Sequence, residues 1–454
     1  MPLKELSNHI KQQKISAFDI VSHAINKINQ CNPTINAVIA KRFKTAIHEA
    51  KQIDLALPFA GTPILIKDLY ADIKGLPSTH GCKGYAANIA TSDSHVVTTL
   101  KALGFIIVGK TNTAEFGLST TTEPKLFGPT KNPFDLSKTA GGSSGGAAAA
   151  VSSGMVPLAH ASDAGGSIRI PAAYCGLVGL KPSRPANAKT LKEKITSQHV
   201  LTKTVKDTQL VLQHTRPELP PYKPEKKSYK IALIIEHPWH SISQVCQQKT
   251  YQAAEALQKQ GHHIEVQPFY LDWKQCVETF ITIIAKNLAN HLPNIKNCEL
   301  TTKLMATLGK QITPQQLTQA KQSLNHIHTQ TQKFFSGYDF ILTPTTATTA
   351  PKLNTHKLPL LQQWLIKTAC TTKNCYLLHF IYNKLTQTMF KDAPFTMPFN
   401  LAGCPAISLP TAWEANNACA IQLVAPAYQD HKLLDTAQTL IQILPPIDTV
   451  NELF

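Results

Sequence analysis

From Thr139 to Ser162 the chain carries no Asp, Glu, Lys or Arg, and this stretch opens on Gly141-Gly-Ser-Ser-Gly-Gly146. A charge-free segment of this length goes to the interior, and its side chains decide in what form. Gly, Ser and Ala dominate over Leu and Ile. That makes it a poor membrane span and a good buried loop running into a close-packed helix. A second Gly-Gly-Ser unit ends at Ser167, 24 residues after Ser143. A glycine pair lets the backbone adopt angles closed to other residues and come close to a ligand. Consecutive N–H groups in such a turn form a concavity that holds negative charge. Acyl-transfer chemistry needs such a concavity for the oxyanion of its tetrahedral intermediate. Taken alone, either loop also reads as a turn at a tight packing site.

Around this segment, strand and helix patterns alternate. Ser16 followed by Asp19 resembles a capping box, and Ile20, Val21, Ala24, Ile25 and Ile28 fall on one helical face. A second helix is expected over 46–57. Apolar runs at Thr62 to Ile66 and Phe105 to Val108 read as buried strands, separated by a helix over His95 to Leu103. Downstream, Ala147 to Ser152, Thr250 to Lys259 and His431 to Ile443 read as helices. Tyr229 to Ile235, His263 to Pro268, Phe340 to Leu342, Ala406 to Leu409 and Ala420 to Val424 read as strands. Residues 272–334 are mainly helical. The alternation predicts an α/β layered fold with a largely parallel or mixed sheet. At 454 residues and 43% hydrophobic, the chain has ample material for a core. Arg216 to Lys227, with four prolines, reads as a surface connection.

The formal net charge is +17, but the 45 Lys and Arg include no run of five, so it reads as a diffusely basic surface in preference to a dedicated nucleic-acid footprint. Ten scattered cysteines without C-x-x-C spacing read as reduced thiols. Nothing near Met1 resembles a signal peptide, and a cytoplasmic protein is expected. Two formal motif matches fail on context. Gly104 to Thr111 fits G-x-x-x-x-G-K-[ST], yet Phe, Ile, Ile and Val between its glycines belong in a strand and not in a phosphate loop. Gly142-Ser-Ser-Gly-Gly146 fits G-x-S-x-G, yet the polar Asp135 to Ala140 before it is no nucleophile-elbow strand.

A third segment completes a constellation. Gly61-Thr-Pro-Ile-Leu-Ile-Lys67-Asp68 places a lysine at the end of an apolar run, 76 residues before Ser143. With Gly141 to Gly146 and with Asp163-Ala-Gly-Gly-Ser167-Ile-Arg169, it resembles the amidase-signature family. Gly109 to Gly117, Tyr338 to Pro344 and Phe399 to Ser408 look like further landmarks of that family, so the likeness covers nearly the whole chain. Ala159 to Asp163, Thr121 to Pro124 and Gln198 to Thr202 resemble the branch of the 6-aminohexanoate cyclic dimer hydrolases. The resemblance implies one domain over 1–454, a twisted mixed sheet covered by helices on both faces. Within it, helices occupy 1–60, the signature core 61–185, and the remaining sheet, pocket cover and last helix 186–454.

The resemblance also implies a hydrolase of linear or cyclic amides with a Ser-Ser-Lys triad. Ser167 is the nucleophile, Ser143 the relay on a cis peptide, and Lys67 the base, neutral because burial lowers its pKa. Backbone N–H groups of Ala164, Gly165, Gly166 and Ser167 are expected to hold the oxyanion. Asp163, Arg169 and Asp68 read as scaffolding. Thr113, Glu115 and Phe116 either line the pocket or pack beside it. No metal or cofactor is required, and His237 with His240 and His326 with His328 read as surface pairs. The expected partner is a small-molecule amide, without nucleic acid or membrane and with a homodimer allowed. The alternative is the amidase subunit of a glutamyl-tRNA(Gln) amidotransferase. Ala140 and Ala164 stand where relatives often have Pro and Gly, and the segment Pro185 to Thr196 is shortened, which bears on the pocket rim.

Overall fold

The computed structural model describes residues 1–221, 228–292, 295–411 and 418–444. Its strands are β1 (Val38–Lys41), β2 (Pro63–Lys67), β3 (Ile106–Thr111), the hairpin β4 (Lys131–Asn132) and β5 (Asp135–Thr139), then β6 (Leu158–Asp163) and β7 (Val178–Lys181). They continue with β8 (Ser197–Thr202), β9 (Lys230–Leu233), β10 (His263–Val266), β11 (Phe340–Pro344), β12 (Ala406–Pro410) and β13 (Ala420–Val424). Eleven of them form one sheet in the order β1-β3-β2-β6-β8-β7-β12-β13-β11-β9-β10. The β2 strand runs parallel to β3 and β6, and β9 parallel to β10 and β11. The central pairs β6/β8, β8/β7, β7/β12 and β12/β13 are antiparallel. The sheet is therefore mixed, as the alternating pattern predicts.

Successive side chains of a strand point to opposite faces, so a strand covered on both sides reads as a continuous apolar run. In β2, Leu65 joins the apolar cluster of the N-terminal helix and of Ala147–Val151, while Ile64 and Ile66 join the opposite cluster with Phe59, Val97 and Val211. In β11, Ile341 faces one layer and Phe340 and Leu342 the other. Helices cover both faces, which is why these strands show no polar alternation.

Most expected elements stand within a few residues of their place. Ser16 caps the helix Ala17–Ile35, its hydroxyl accepting from the Asp19 amide at 3.0 Å. The second helix is a correction: it spans Phe43–Ala50 and gives way to turns where the pattern over 46–57 extends it. Gly109-Lys110-Thr111 lies inside buried β3, and Lys110 pairs with Asp68, so it forms no phosphate loop. Within the proline-rich connection, residues 222–227 lie outside the described ones. Two helices, Leu360–Thr372 and Cys375–Thr388, occupy a stretch whose sequence suggests no pattern. They expose Leu360, Leu361, Trp364, Tyr376 and Phe380. No described helix is long and apolar enough to cross a membrane.

Candidate active site

Period two puts Lys67 on the same face of β2 as Leu65, towards the helix Gly145–Ser152. That helix is buried along its whole length. Its first turn is pressed so close to the end of β3 that a Cβ on Gly146 would stand 2.5 Å from the Asn112 backbone N and O. Only glycine fits there, and the contact brings the helix start, with Ser143 and Ser144, above Lys67. The Gly142–Ser143 peptide is cis, as the family resemblance implies. The Ser143 carbonyl accepts from Thr113 Oγ1 at 3.0 Å and Thr122 Oγ1 at 3.2 Å. The Ser144 amide donates to the Ser167 carbonyl at 3.3 Å, joining the two Gly-Gly-Ser loops.

Lys67 is fully buried. Its Nζ lies 2.8 Å from Ser143 Oγ, 3.1 Å from Ser162 Oγ and 3.4 Å from the Ser162 carbonyl oxygen. Burial pushes its pKa down to about 7, against the opposing pull of the nearby Asp163 charge. Three acceptors match the three protons of an ammonium. Once one proton leaves, two N–H bonds serve the two Ser162 oxygens and the lone pair is left for Ser143. Ser162 is thus a positioning residue that the motifs do not reveal. Its only signal is its place directly before Asp163.

Ser167 sits in the turn after β6, where Gly166 takes a φ of +126° that a side chain would rarely allow. Asp163 holds this turn. Its Oδ1 accepts from the Gly166 amide at 2.7 Å, and its Oδ2 from the Ile168 amide at 3.1 Å. Arg169 closes on the same carboxylate with Nε at 3.0 Å and Nη2 at 2.9 Å, both residues being fully buried. Asn400 Nδ2 donates to Asp163, and the rest of the guanidinium is taken up by Asn400, Gln422 and the Thr396 carbonyl. Burial alone would raise the Asp163 carboxyl, but the Arg169 charge and these hydrogen bonds outweigh it and hold the group well below the usual range.

The expected oxyanion donors need one correction. The Gly166 N–H is engaged by Asp163, whereas the amides of Ala164, Gly165 and Ser167 have no acceptor among the described residues. Ser167 and Ala164 are half-buried, while Ser143 and Lys67 are buried. Ser143, Ala164, Gly165 and Ser167 all line one cavity of about 1080 Å³. No hydrogen bond links Ser143 to Ser167 among the described residues. Phe116 lines the cavity, whereas Thr113 and Glu115 pack behind it. Tyr70, Lys192, Phe280 and Phe390 complete much of the wall, and Lys192 lies in the shortened rim segment with its Nζ 3.2 Å from the Tyr70 ring centroid. His237 and His240 are not the surface pair expected. They are half-buried, stacked on each other and set edge-on to the ring of Trp273. His326 is exposed, and His328 is tied to the Ala402 carbonyl at 2.7 Å.

This fold and these motifs define a hydrolase of carbon–nitrogen bonds, and the chain belongs to the Amidase family, whose profile matches residues 19–434. A lipoamidase of Enterococcus faecalis is 33% identical over 90% of this chain, which spans 58% of that longer protein. The solved structure of a 6-aminohexanoate cyclic dimer hydrolase complexed with substrate superposes with a TM-score of 0.84, at 27% identity over 98% of this chain and 97% of the other. One component of the glutamyl-tRNA(Gln) amidotransferase of Legionella pneumophila is 29% identical over 96% of this chain and 95% of its own length.

Proposed function

We propose that the protein hydrolyses a small carboxamide to a carboxylate and ammonia or an amine, through an acyl-enzyme on Ser167. The observation that carries this reading is the 2.8 Å contact between a buried Lys67, with its pKa near neutrality, and Ser143 Oγ. A serine hydroxyl is a poor nucleophile until a base takes its proton. Neutral Lys67 accepts the proton of Ser143, which takes that of Ser167 as the substrate settles against both loops. Ser167 Oγ attacks the amide carbon, and the Ala164, Gly165 and Ser167 amides receive the developing oxyanion. The relay then runs backward, the leaving nitrogen is protonated, and water releases the acyl group. Asp163 and Arg169 keep the turn in shape and react with nothing. The apolar walls at Leu69, Phe116, Phe280, Ile284, Met389 and Phe390 suit an acyl or amine arm of several carbons.

A fluorophosphonate probe tests the nucleophile. The folded protein is expected to take one label at Ser167, seen by peptide mass spectrometry, with loss of amide turnover. A folded, unlabelled protein overturns the reading. The +17 charge and the Legionella relative favour a second reading, a component of an amidotransferase complex. Turnover of simple amides by the purified chain alone supports the first. Activity that appears only with the other components and charged tRNA supports the second.

A further inference from the structure

Cys82, Glu115 and Cys298 come from three separate places in the chain. Cys82 precedes the 3₁₀ turn Lys83–Tyr85, Glu115 opens the turn Glu115–Gly117, and Cys298 stands just before the helix Leu300–Gln311. All three are buried. Their sulfur and carboxylate ligand atoms lie within 4.8 Å of one another, with the two Sγ atoms 3.4 Å apart. Glu115 accepts from the Glu299 amide at 2.6 Å and has no ion-pair partner among the described residues. The charges facing the cluster are the Glu299 carboxylate and, towards Cys298, the Lys303 ammonium. A buried carboxylate converging with two thiols is the kind of mixed oxygen and sulfur donor set that a soft divalent cation takes.

The ligand set and spacing select the cation. Thiols exclude magnesium and calcium, which take oxygen ligands. Zinc binds Cys and Glu together, and two thiolates at its Zn–S distance of about 2.3 Å stand about 3.7 Å apart in a tetrahedron. The observed 3.4 Å needs only a slight opening, whereas a disulfide needs closure to about 2.05 Å. We infer that Cys82, Glu115 and Cys298 form a binding site for a soft divalent cation of the Zn²⁺ type. On loading, two Zn–S bonds and one Zn–O bond form as hydrating waters leave the cation, two S–H bonds break, and two protons pass to solvent. No electron moves. The site joins two chain segments that both line the cavity, one through Phe116 and Gly117 and the other through Thr301 and Met305. It lies outside the amide-cleaving machinery and takes no part in that chemistry.

The test uses the full chain, stripped with a chelator and dialysed against zinc sulfate. One Zn²⁺ per chain is expected by elemental analysis. With Co²⁺ instead, a thiolate-to-cobalt charge-transfer band is expected that Zn²⁺ abolishes. The double variant Cys82→Ser/Cys298→Ser is expected to bind about tenfold more weakly or worse and to lose the band. Should that variant fail to fold, alkylation of the native wild type decides, with Zn²⁺ expected to shield both cysteines. The inference is overturned if wild type gives no sulfur-to-cobalt band, if metal content is the same in wild type and folded double variant, or if Zn²⁺ leaves alkylation unchanged.

Discussion

At the scale of single residues, the proposed relay depends on the protonation of Lys67. Replacing it with Met removes the proposed base without adding charge, and kcat is expected to fall by about 10²–10⁴ with the fold intact, measured by amide turnover alongside circular dichroism. An intact turnover in folded Lys67→Met would refute the relay. The pH profile follows with a definite sign. Only neutral Lys67 accepts a proton and its pKa lies at about 7, so kcat/KM should rise about tenfold per pH unit below that value and level off above it. A rate that is flat down to pH 5 would contradict it. Arg169 answers to stability instead. Its removal strands the buried Asp163 carboxylate, so Arg169→Ala should lower the unfolding free energy by about 3–5 kcal/mol in urea titration. Because folding depresses the Asp163 pKa, the stability it contributes is full above the ordinary carboxylate value near about 3.9 and is lost as pH falls below it. Lys67, Ser143 and Ser167 are legible in the sequence because each stands in a distinctive motif. The partners of Arg169 are less so: Asn400 falls in the landmark Phe399 to Ser408 but nothing local ties it to Arg169, and Gln422, a lone amide more than two hundred residues away, carries no signature at all.

At the scale of elements, the helix Gly145–Ser152 is the part most tightly specified. A Cβ on Gly146 would meet main-chain atoms of Asn112, which cannot swing aside as a flexible side chain can. Gly146→Ala should therefore push the helix start away from β3, lowering stability by about 1–3 kcal/mol and slowing kcat by moving Ser143 off Lys67. Thermal unfolding and turnover on the same sample check both effects, and a variant unchanged in both would show that the contact has slack. The helix is legible because a run of Ala without charge has few other uses. Strands β6 and β8 are not. Leu158–Asp163 mixes Ala, His, Ser and Asp, and Ser197–Thr202 carries His199 into the interior, so neither shows an apolar run or clean alternation. The pair Leu360–Thr372 and Cys375–Thr388 is hidden for the opposite reason. Apolar residues lie on its exposed side as well, which erases the amphipathic stripe that marks a surface helix.

At the scale of the molecule, the sheet determines how the two halves of the site depend on each other. Lys67 stands on β2 near one edge, whereas Gln422 stands on β13 beyond the centre, with β6, β8, β7 and β12 between them. The Asp163–Arg169 pair reaches across this span, from the end of β6 to Gln422 and to Asn400 in the helix Met397–Ala402. Neither half can come apart without breaking the Arg169 hydrogen bonds to Gln422 and Asn400, each of the charge-assisted kind worth about 1.5–3 kcal/mol. The chain is therefore expected to unfold as one unit despite its length. In urea, the emission of buried Trp273, which packs in the layer over β9 and β11, should change with the same midpoint as the loss of amide turnover, which reports on β2 and β6. Two separate midpoints would mean that the β9–β11 end is a domain of its own. Single-residue substitution then sharpens the comparison. In folded Arg169→Ala the bridge is gone, and the two midpoints should draw apart if that bridge couples the halves, or fall together if the continuous sheet alone is enough.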